Sequence, residues 1–191
     1  MVGDVLFSMI AYSEEWYITS IKDNAIMAKT KLQTFHTHVD LSEKTRDQMI
    51  NLLNQQLADV SDLYSQTKQA HWNIKGMDFI QLHEFFDDLA EQVLPYVDSI
   101  AERATSIGGV ALGTARMAAA NSTLPEFPDG PYDGKTMVKA LVEIYCKFAN
   151  RTRAAIDVAD QEGDKDTADL FTTISGEMDK HLWFLEAHIQ V

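Results

Sequence analysis

Between residues 79 and 109 the chain reads FIQLHEFFDDLAEQVLPYVDSIAERATSIGG. Apolar side chains recur there at spacings of three and four: Phe79, Leu82, Phe86, Leu89, Val93, Tyr96, Ile100, Ala104 and Ile107. That spacing is typical of a long amphipathic helix with one buried face. Asp78 is suited to cap the start of this helix, and Gly108 and Gly109 favour its end.

Similar apolar stripes predict three further long helices. Ser42 is a suitable cap for one that runs to about Asn73, a third follows Gly134, and a polar break at 161–164 precedes the fourth. A short apolar piece at 111–120 predicts a short extra helix in the long connection between the second and third. No useful strand alternation occurs. The sequence therefore predicts an all-α fold, a ferritin-like four-helix bundle whose middle connection crosses its length.

The chain has 191 residues, enough for one domain with a full core. Residues 1–41 lack a clear helical period and are expected to form a partly ordered N-terminal extension, with the bundle over 42–191. Both Met1 and Met27 are plausible start residues. Acidic residues number 29 and basic residues 16, and the net charge of −13 argues against a simple nucleic-acid-binding surface and favours a cation partner.

Several classes of protein are excluded or disfavoured. The lone Cys146 excludes an internal disulfide and a cysteine-based zinc cage. No apolar run reaches the roughly 18 residues of a membrane helix. Residues 5–12 are apolar but follow no basic segment, so we expect no secretory signal. With neither a signal nor paired cysteines, the expected compartment is the cytoplasm.

Two pairs on the helix around residues 79–109 have the residue types of a metal site. His83 and Asp87 are four residues apart, as are Asp98 and Glu102, so the members of each pair share a helix face. Their side chains point in nearly one direction, rotated by about 100° from the core stripe onto the flank of the bundle. Taken alone, a His–Asp pair is usually a surface ion pair. Asp98 and Glu102 alone would form a solvated face with Arg103 as partner.

The two pairs cannot share one metal ion within a chain, because eleven residues at about 1.5 Å each separate them by about 16 Å. If two copies of the helix packed antiparallel about a two-fold axis, His83 and Asp87 of one chain would lie opposite Asp98 and Glu102 of the other. His71 continues the buried stripe of the first helix and could complete the set. On its own it would be a hydrogen-bonded core histidine. Imidazole with carboxylates suits Fe(II), Mn(II) or Zn(II).

Two runs carry a resemblance to a known family. Residues 71–76 (HWNIKG), followed by His83 and Asp87, resemble the first signature of the Dps family, the mini-ferritins that protect DNA during starvation. Residues 97–103 (VDSIAER), followed by Ile107-Gly108 and Ala111, resemble the second. The resemblance extends from about residue 42 to the C-terminus. It implies a ferroxidase centre at a two-fold interface, formed by His71, His83 and Asp87 of one chain with Asp98 and Glu102 of its partner.

The resemblance also implies a hollow homododecamer that oxidises Fe(II), preferably with hydrogen peroxide rather than O2, stores ferric mineral and protects DNA. Zinc is a candidate substitute for iron. Asp169 and Asp179 match positions that line iron-entry pores in the family, with Asp166 beside the entrance, although a solvated helix face explains each equally well. His36 and His38 form a candidate extra metal site, since some relatives carry one in this segment. The alternative is a solvent-exposed pair.

Two alternatives remain to be weighed. A classical ferritin centre uses Glu-x-x-His motifs inside the bundle, and no histidine here has Glu three residues before it. A nucleoid-condensing DNA-binding protein would need many basic residues to neutralise phosphates. Residues 1–40 hold three lysines against five acidic residues, and residues 182–191 hold neither lysine nor arginine. The sequence therefore favours the ferroxidase hypothesis, with DNA binding weak or absent at physiological salt.

Overall fold

The structure is a computed structural model that describes residues 33–190. Five helices follow one another in this part of the chain: α1 (Glu43–Asn73), α2 (Phe79–Ser106), α3 (Ala115–Asn121), α4 (Gly134–Gln161) and α5 (Lys165–Ala187). The predicted all-α fold is confirmed, with the short α3 in the connection between the second and third long helices. Most of the predicted N-terminal extension, residues 1–32, lies outside the described residues, as do both candidate start residues.

The bundle is built from two helical hairpins. α1 packs along α2, α4 packs along α5, and contacts of α1 with α4 and of α2 with α5 close the bundle. Phe86, Tyr145, Phe148 and Phe171 are the largest side chains buried in full between the helices. Truncating one such phenylalanine to alanine in a close-packed core costs about 3–5 kcal/mol. No helix among residues 33–190 is long and apolar enough to cross a membrane.

Side-chain caps fix the start of most of the helices. Ser42 Oγ accepts a hydrogen bond of 3.0 Å from the backbone N–H of Thr45, as its position predicted. Asp164 caps α5 in the same way. Asp78 precedes α2, but its side chain makes no capping hydrogen bond, contrary to expectation. Its backbone has ψ of 16° rather than the extended 152° of Ser42, so the carboxylate is not placed over the first turn.

The end of α2 lies against the segment that precedes α1. Gly108 has φ of +91°, a conformation that glycine adopts without strain, and a Cβ there would lie 2.5 Å from the carbonyl oxygen of Phe35. A Cβ on Gly109 would lie 2.6 Å from Ile50. Phe35 N–H donates to the Gly108 carbonyl over 2.7 Å. The two glycines thus end the helix and let two other segments approach it closely.

One histidine is buried inside the bundle, away from the predicted site. His181 on α5 is fully buried, and its Nε2 lies 3.2 Å from Gln92 Oε1 and 3.3 Å from Glu177 Oε1. Its Nδ1 is buried with no hydrogen-bond partner among the described residues. Burial lowers the pKa of His181 below its ordinary value, although the Glu177 carboxylate favours the charged form. The folded chain therefore holds this imidazole in its neutral form near neutral pH.

This buried imidazole should make the fold sensitive to acid. The unfolded chain takes up a proton at His181 as the pH falls through about 6.5, whereas the folded chain resists doing so. The free energy of unfolding should therefore fall as the pH drops below about 6.5, by at most about 1.4 kcal/mol per pH unit from this group. The free energy of unfolding, measured with urea, should therefore fall less in His181→Gln than in the wild type when the pH is lowered from about 7.5 to about 5.5.

The exposed histidine of α5's C-cap, His188, supplies the matched control. His188→Gln should keep the wild-type pH dependence at the same protein concentration. Equal acid destabilisation of the wild type and His181→Gln would contradict the role assigned to the buried imidazole.

Candidate metal centre

A pair of histidines joins the end of α1 to the start of α2. The rings of His71 and His83 stack with their centroids 3.8 Å apart. His71 Nδ1 lies 2.7 Å from the His83 carbonyl oxygen, and His83 Nδ1 lies 2.9 Å from the His71 carbonyl oxygen. Because a carbonyl only accepts, each Nδ1 carries a proton, and in the neutral form of each ring the lone pair is therefore on Nε2. Metal-binding histidines are commonly oriented by such a bond from the other ring nitrogen.

The turn between the two helices holds these histidines in register. Gly76 has φ of +115°, which lets the chain reverse between Asn73 and Phe79. Lys75 N–H donates to the Tyr132 carbonyl over 2.8 Å and so ties the turn to the segment before α4. His71 is 8% exposed and His83 is half-buried, so the pair lies at the edge of the core.

Asp87 is held by a lysine that the sequence analysis did not assign to the site. Lys68 Nζ donates a hydrogen bond to Asp87 Oδ1 and forms an ion pair with it. This hydrogen bond holds the pKa of Asp87 below its ordinary value, although burial acts in the opposite direction. Lys68 precedes His71 by three residues on α1, and this helical spacing was the available signal.

Asp98 and Glu102 lie exposed toward the other end of α2. Neither carboxylate makes a hydrogen bond or an ion pair with any part of the chain between residues 33 and 190. Their exposure agrees with a solvated face, but Arg103, the partner that the sequence suggested, does not pair with them. Arg103 turns toward the start of α5, where it donates to Asp164 Oδ1 over 2.6 Å and to Thr167 Oγ1 over 2.9 Å. The buried carboxylate of Asp164 is the stronger partner because water does not compete for it.

One chain does not bring the predicted ligands together. Within the described range, no group of three or more His, Cys, Asp or Glu side chains is placed to hold a metal ion. The histidine pair and Asp87 lie at one end of α2, while Asp98 and Glu102 lie about 16 Å further along its axis. Each end therefore holds only part of the predicted ligand set.

The remaining predicted residues lie on the surface. Asp169 is exposed, and Asp166 is 84% exposed and 3.7 Å from Arg103. Asp179 accepts a hydrogen bond of 2.6 Å from Arg153, so its charge is partly balanced within the chain. The exposed His36 and His38 have ring centroids 4.8 Å apart in an edge-to-face arrangement.

Comparison with known proteins gives a consistent result. A family model described as a ferritin-like domain matches residues 50–191. The chain is 43% identical over 159 residues to the DNA protection during starvation protein of Agrobacterium fabrum, covering 83% of this chain and 98% of that protein. It is 34% identical to the protein of the same name from Brevibacillus brevis, covering 73% and 93%.

A solved structure agrees in fold. DpsC from Streptomyces coelicolor superposes with a TM-score of 0.79 at 31% identity, covering 83% of this chain and 93% of that one. The fold and the matched domain place the chain in the ferritin-like class. Within that class, the chain belongs to the Dps family of mini-ferritins.

Lys68 should weaken metal binding at the histidine end, because its ammonium occupies Asp87 and repels a cation. Lys68→Met keeps the length of the aliphatic stem and removes the charge. This variant should bind Co(II) about threefold to tenfold more tightly than the wild type, as expected for a partly exposed ion pair. Isothermal titration of the assembled protein measures the affinity.

Lys165→Met is the matched control, since Lys165 pairs with Asp160 on the surface. It should leave Co(II) affinity unchanged. Equal or weaker binding by Lys68→Met would show that the lysine does not compete with the metal.

Proposed function

We propose that this protein oxidises Fe(II), preferably with hydrogen peroxide, and stores the ferric product as mineral inside a hollow homododecamer. Membership of the Dps family supports this activity, and the two relatives named above are described as DNA protection during starvation proteins. Removing Fe(II) and peroxide together would protect DNA from oxidative damage. We propose the cytoplasm as the site of action.

The main support for the proposal is that the predicted ligands lie in two separate groups, one near each end of α2. His71 and His83 present two free Nε2 lone pairs beside Asp87, while Asp98 and Glu102 have no partner within the described chain. A second copy of the chain, related by a two-fold axis, would place its Asp98 and Glu102 beside the histidine pair and Asp87. Each incomplete set of ligands would then gain the ligands that it lacks. Two imidazoles and three carboxylates form a donor set that suits Fe(II), and Zn(II) could bind there in its place.

Apolar side chains around the histidine end also favour a partner chain. Trp72 is 61% exposed, Met77 98%, and Phe79 and Ile80 41% and 51%. These residues adjoin His71 and His83 in sequence and lie near the turn between α1 and α2. Exposed apolar groups concentrated in one region mark interaction surfaces more often than isolated ones do. A second copy that covers this region would also exclude water from the metal site.

The chemistry suits a pair of iron ions. Two Fe(II) ions supply two electrons to one hydrogen peroxide, which with two protons gives two Fe(III) and two water molecules. Because peroxide receives both electrons in one place, one from each iron ion, no hydroxyl radical is released. The protein's part is to hold the substrate iron by neutral Nε2 atoms and carboxylates, and Lys68 provides a charge that can leave Asp87 when the metal binds.

We propose that Asp169 and Asp179 line the entry path for iron, with Asp166 near its mouth. Arg153 would then moderate the charge at Asp179. His36 and His38 could hold a further metal ion as a two-histidine site. These assignments rest on family positions, on exposure and on the closeness of the two rings.

Complementation between two inactive variants tests the shared centre. One variant carries His83→Ala and Asp87→Asn, and the other carries Asp98→Asn and Glu102→Gln. A mixed two-fold pair contains one site with all four defects and one intact site. Equimolar co-refolding should therefore restore roughly a quarter of the fast Fe(II) oxidation, measured after peroxide addition to the anaerobically loaded protein.

A quadruple variant provides the control. Mixed with the His83→Ala, Asp87→Asn variant, it leaves every site without its histidine half, so no activity should return. Light scattering of the same samples should give a mass near twelve times 21.5 kDa. No recovery in the complementing mixture would contradict the shared centre, and a stable monomer or a 24-chain particle would contradict the dodecamer.

The alternative function, condensation of DNA, predicts a different behaviour. A dodecamer carries a formal charge of −156 (12 × −13) from its twelve chains. Part of this charge would face the cavity, but the outer surface should still repel phosphates within a range of about 8 Å at physiological ionic strength.

We expect no stable gel shift of DNA by the iron-free protein at about 150 mM salt and pH 7.5–8. Binding at low salt that disappears in a salt series is consistent with this expectation. Retarded, condensed DNA at about 150 mM salt would instead favour the nucleoid function.

A further inference from the structure

Three aromatic rings lie against one another where α1 meets α2. The Phe79 ring stacks on the His83 ring with centroids 5.1 Å apart and planes 29° from parallel. The His83 ring also stacks on the His71 ring, with centroids 3.8 Å apart and planes 23° from parallel. Two rings therefore lie close to parallel with that of His83, and only one of them belongs to a predicted ligand.

The helix and the turn before it place Phe79 beside His83. Phe79 is the first residue of α2 and precedes His83 by four residues, the spacing at which side chains on a helix meet. Its N–H donates to the Gly76 carbonyl over 3.2 Å, so the turn fixes its backbone. Although the side chain is 41% exposed, its ring is thus held at a defined place.

His83 needs a neighbouring ring more than His71 does. His71 is 8% exposed, so the core holds its ring, whereas His83 is only half-buried. The hydrogen bond from His83 Nδ1 to the His71 carbonyl fixes the direction of one ring atom. Rotation of a histidine ring about its last side-chain bond is otherwise broad, and this rotation sets the direction of Nε2. A ring stacked on His83 narrows the rotation and keeps Nε2 pointed in one direction.

The face of a phenylalanine ring also acts electrostatically, because it carries partial negative charge. A metal ion at Nε2 draws electron density from an imidazole, which then gains positive character. Positive charge is attracted to the face of an aromatic ring. The stack between Phe79 and His83 should therefore be stronger when His83 holds a metal ion than when it does not.

We propose that Phe79 is a positioning residue of the candidate metal centre. The face of its ring holds the plane of the His83 imidazole and stabilises this imidazole when a metal ion is bound. The inference rests on the proposed function, because it takes His83 as a ligand. Phe79 itself offers no ligand atom and acts only through His83.

Cobalt titration of the assembled protein tests this role. Phe79→Leu removes the ring face, and we expect it to bind Co(II) about twofold to tenfold more weakly than the wild type, the range of one aromatic contact. The visible absorption of bound Co(II) should also change, because it depends on how the ligands are oriented around the ion. Phe79→Tyr keeps the ring and should keep both the affinity and the spectrum.

A fluorinated side chain separates the charge of the ring face from its shape. Replacing Phe79 with a trifluorinated phenylalanine leaves the size of the ring nearly unchanged and weakens the negative charge of its face. Co(II) affinity should then fall about twofold to fivefold. A ring that only filled space would give the wild-type affinity. This protein also decides the question if Phe79→Leu does not assemble.

Two further variants are the matched controls. The Phe85 ring stacks on His188, which is not a predicted ligand, with centroids 5.1 Å apart, so Phe85→Leu should bind Co(II) as the wild type does. Ile80 is an exposed apolar neighbour of Phe79 without a ring. Ile80→Ser should bind Co(II) more tightly than Phe79→Leu in samples that light scattering shows to be equally assembled.

Wild-type Co(II) affinity in Phe79→Leu or in the fluorinated protein would overturn the inference. Equal weakening by Ile80→Ser would overturn it as well, since the effect would then lie in the pairing of chains. These results would leave the proposed centre intact. If the wild type itself bound no Co(II), the proposed centre would fail and this inference with it.

Discussion

The reciprocal hydrogen bonds between His71 and His83 are the interaction on which the rest of the candidate centre depends. Each ring binds the backbone of the other residue, so the position of one helix end fixes the tautomer of both rings. The same two bonds join α1 to α2 beside the turn that Lys75 ties to Tyr132. The end of α1, the start of α2 and the proposed ligand atoms are thus set by one local arrangement. A metal ion that binds at the proposed centre would lose little free energy to the ordering of these two rings.

Lys68 completes this arrangement from the other side. Its ammonium compensates the charge of Asp87 within the chain. At the far end of α2, Arg103 is engaged by Asp164, so Asp98 and Glu102 keep their charges available. A metal ion at the proposed centre would therefore displace the Lys68 ammonium from Asp87 at one end of α2. At the other end it would supply Asp98 and Glu102 with a positive charge that the described chain does not provide.

Much of the fold follows from the sequence because its signals are local. Ser42 and Thr45 are three residues apart, and the predicted start and end of α1 agree with Glu43–Asn73. Interactions across long sequence separations were not predictable in the same way. Arg103 had an acidic neighbour in sequence, but it pairs with Asp164, which only the packed bundle brings near. The spacing of His83, Asp87, Asp98 and Glu102 predicted two half-sites, whereas the ion pair at Asp87 required knowledge of how α1 and α2 pack.

The distance between the two half-sites has a consequence for when the chemistry takes place in the life of the protein. If a complete centre requires two chains, a newly made chain cannot oxidise iron before it meets another copy. Activity would then rise with the square of the chain concentration when chains are scarce, and would become constant per chain once assembly is complete. Ferric ions would form only where at least two chains have met, the first step towards a shell. The length of one helix would thus act as a safeguard against mineral growing on single chains.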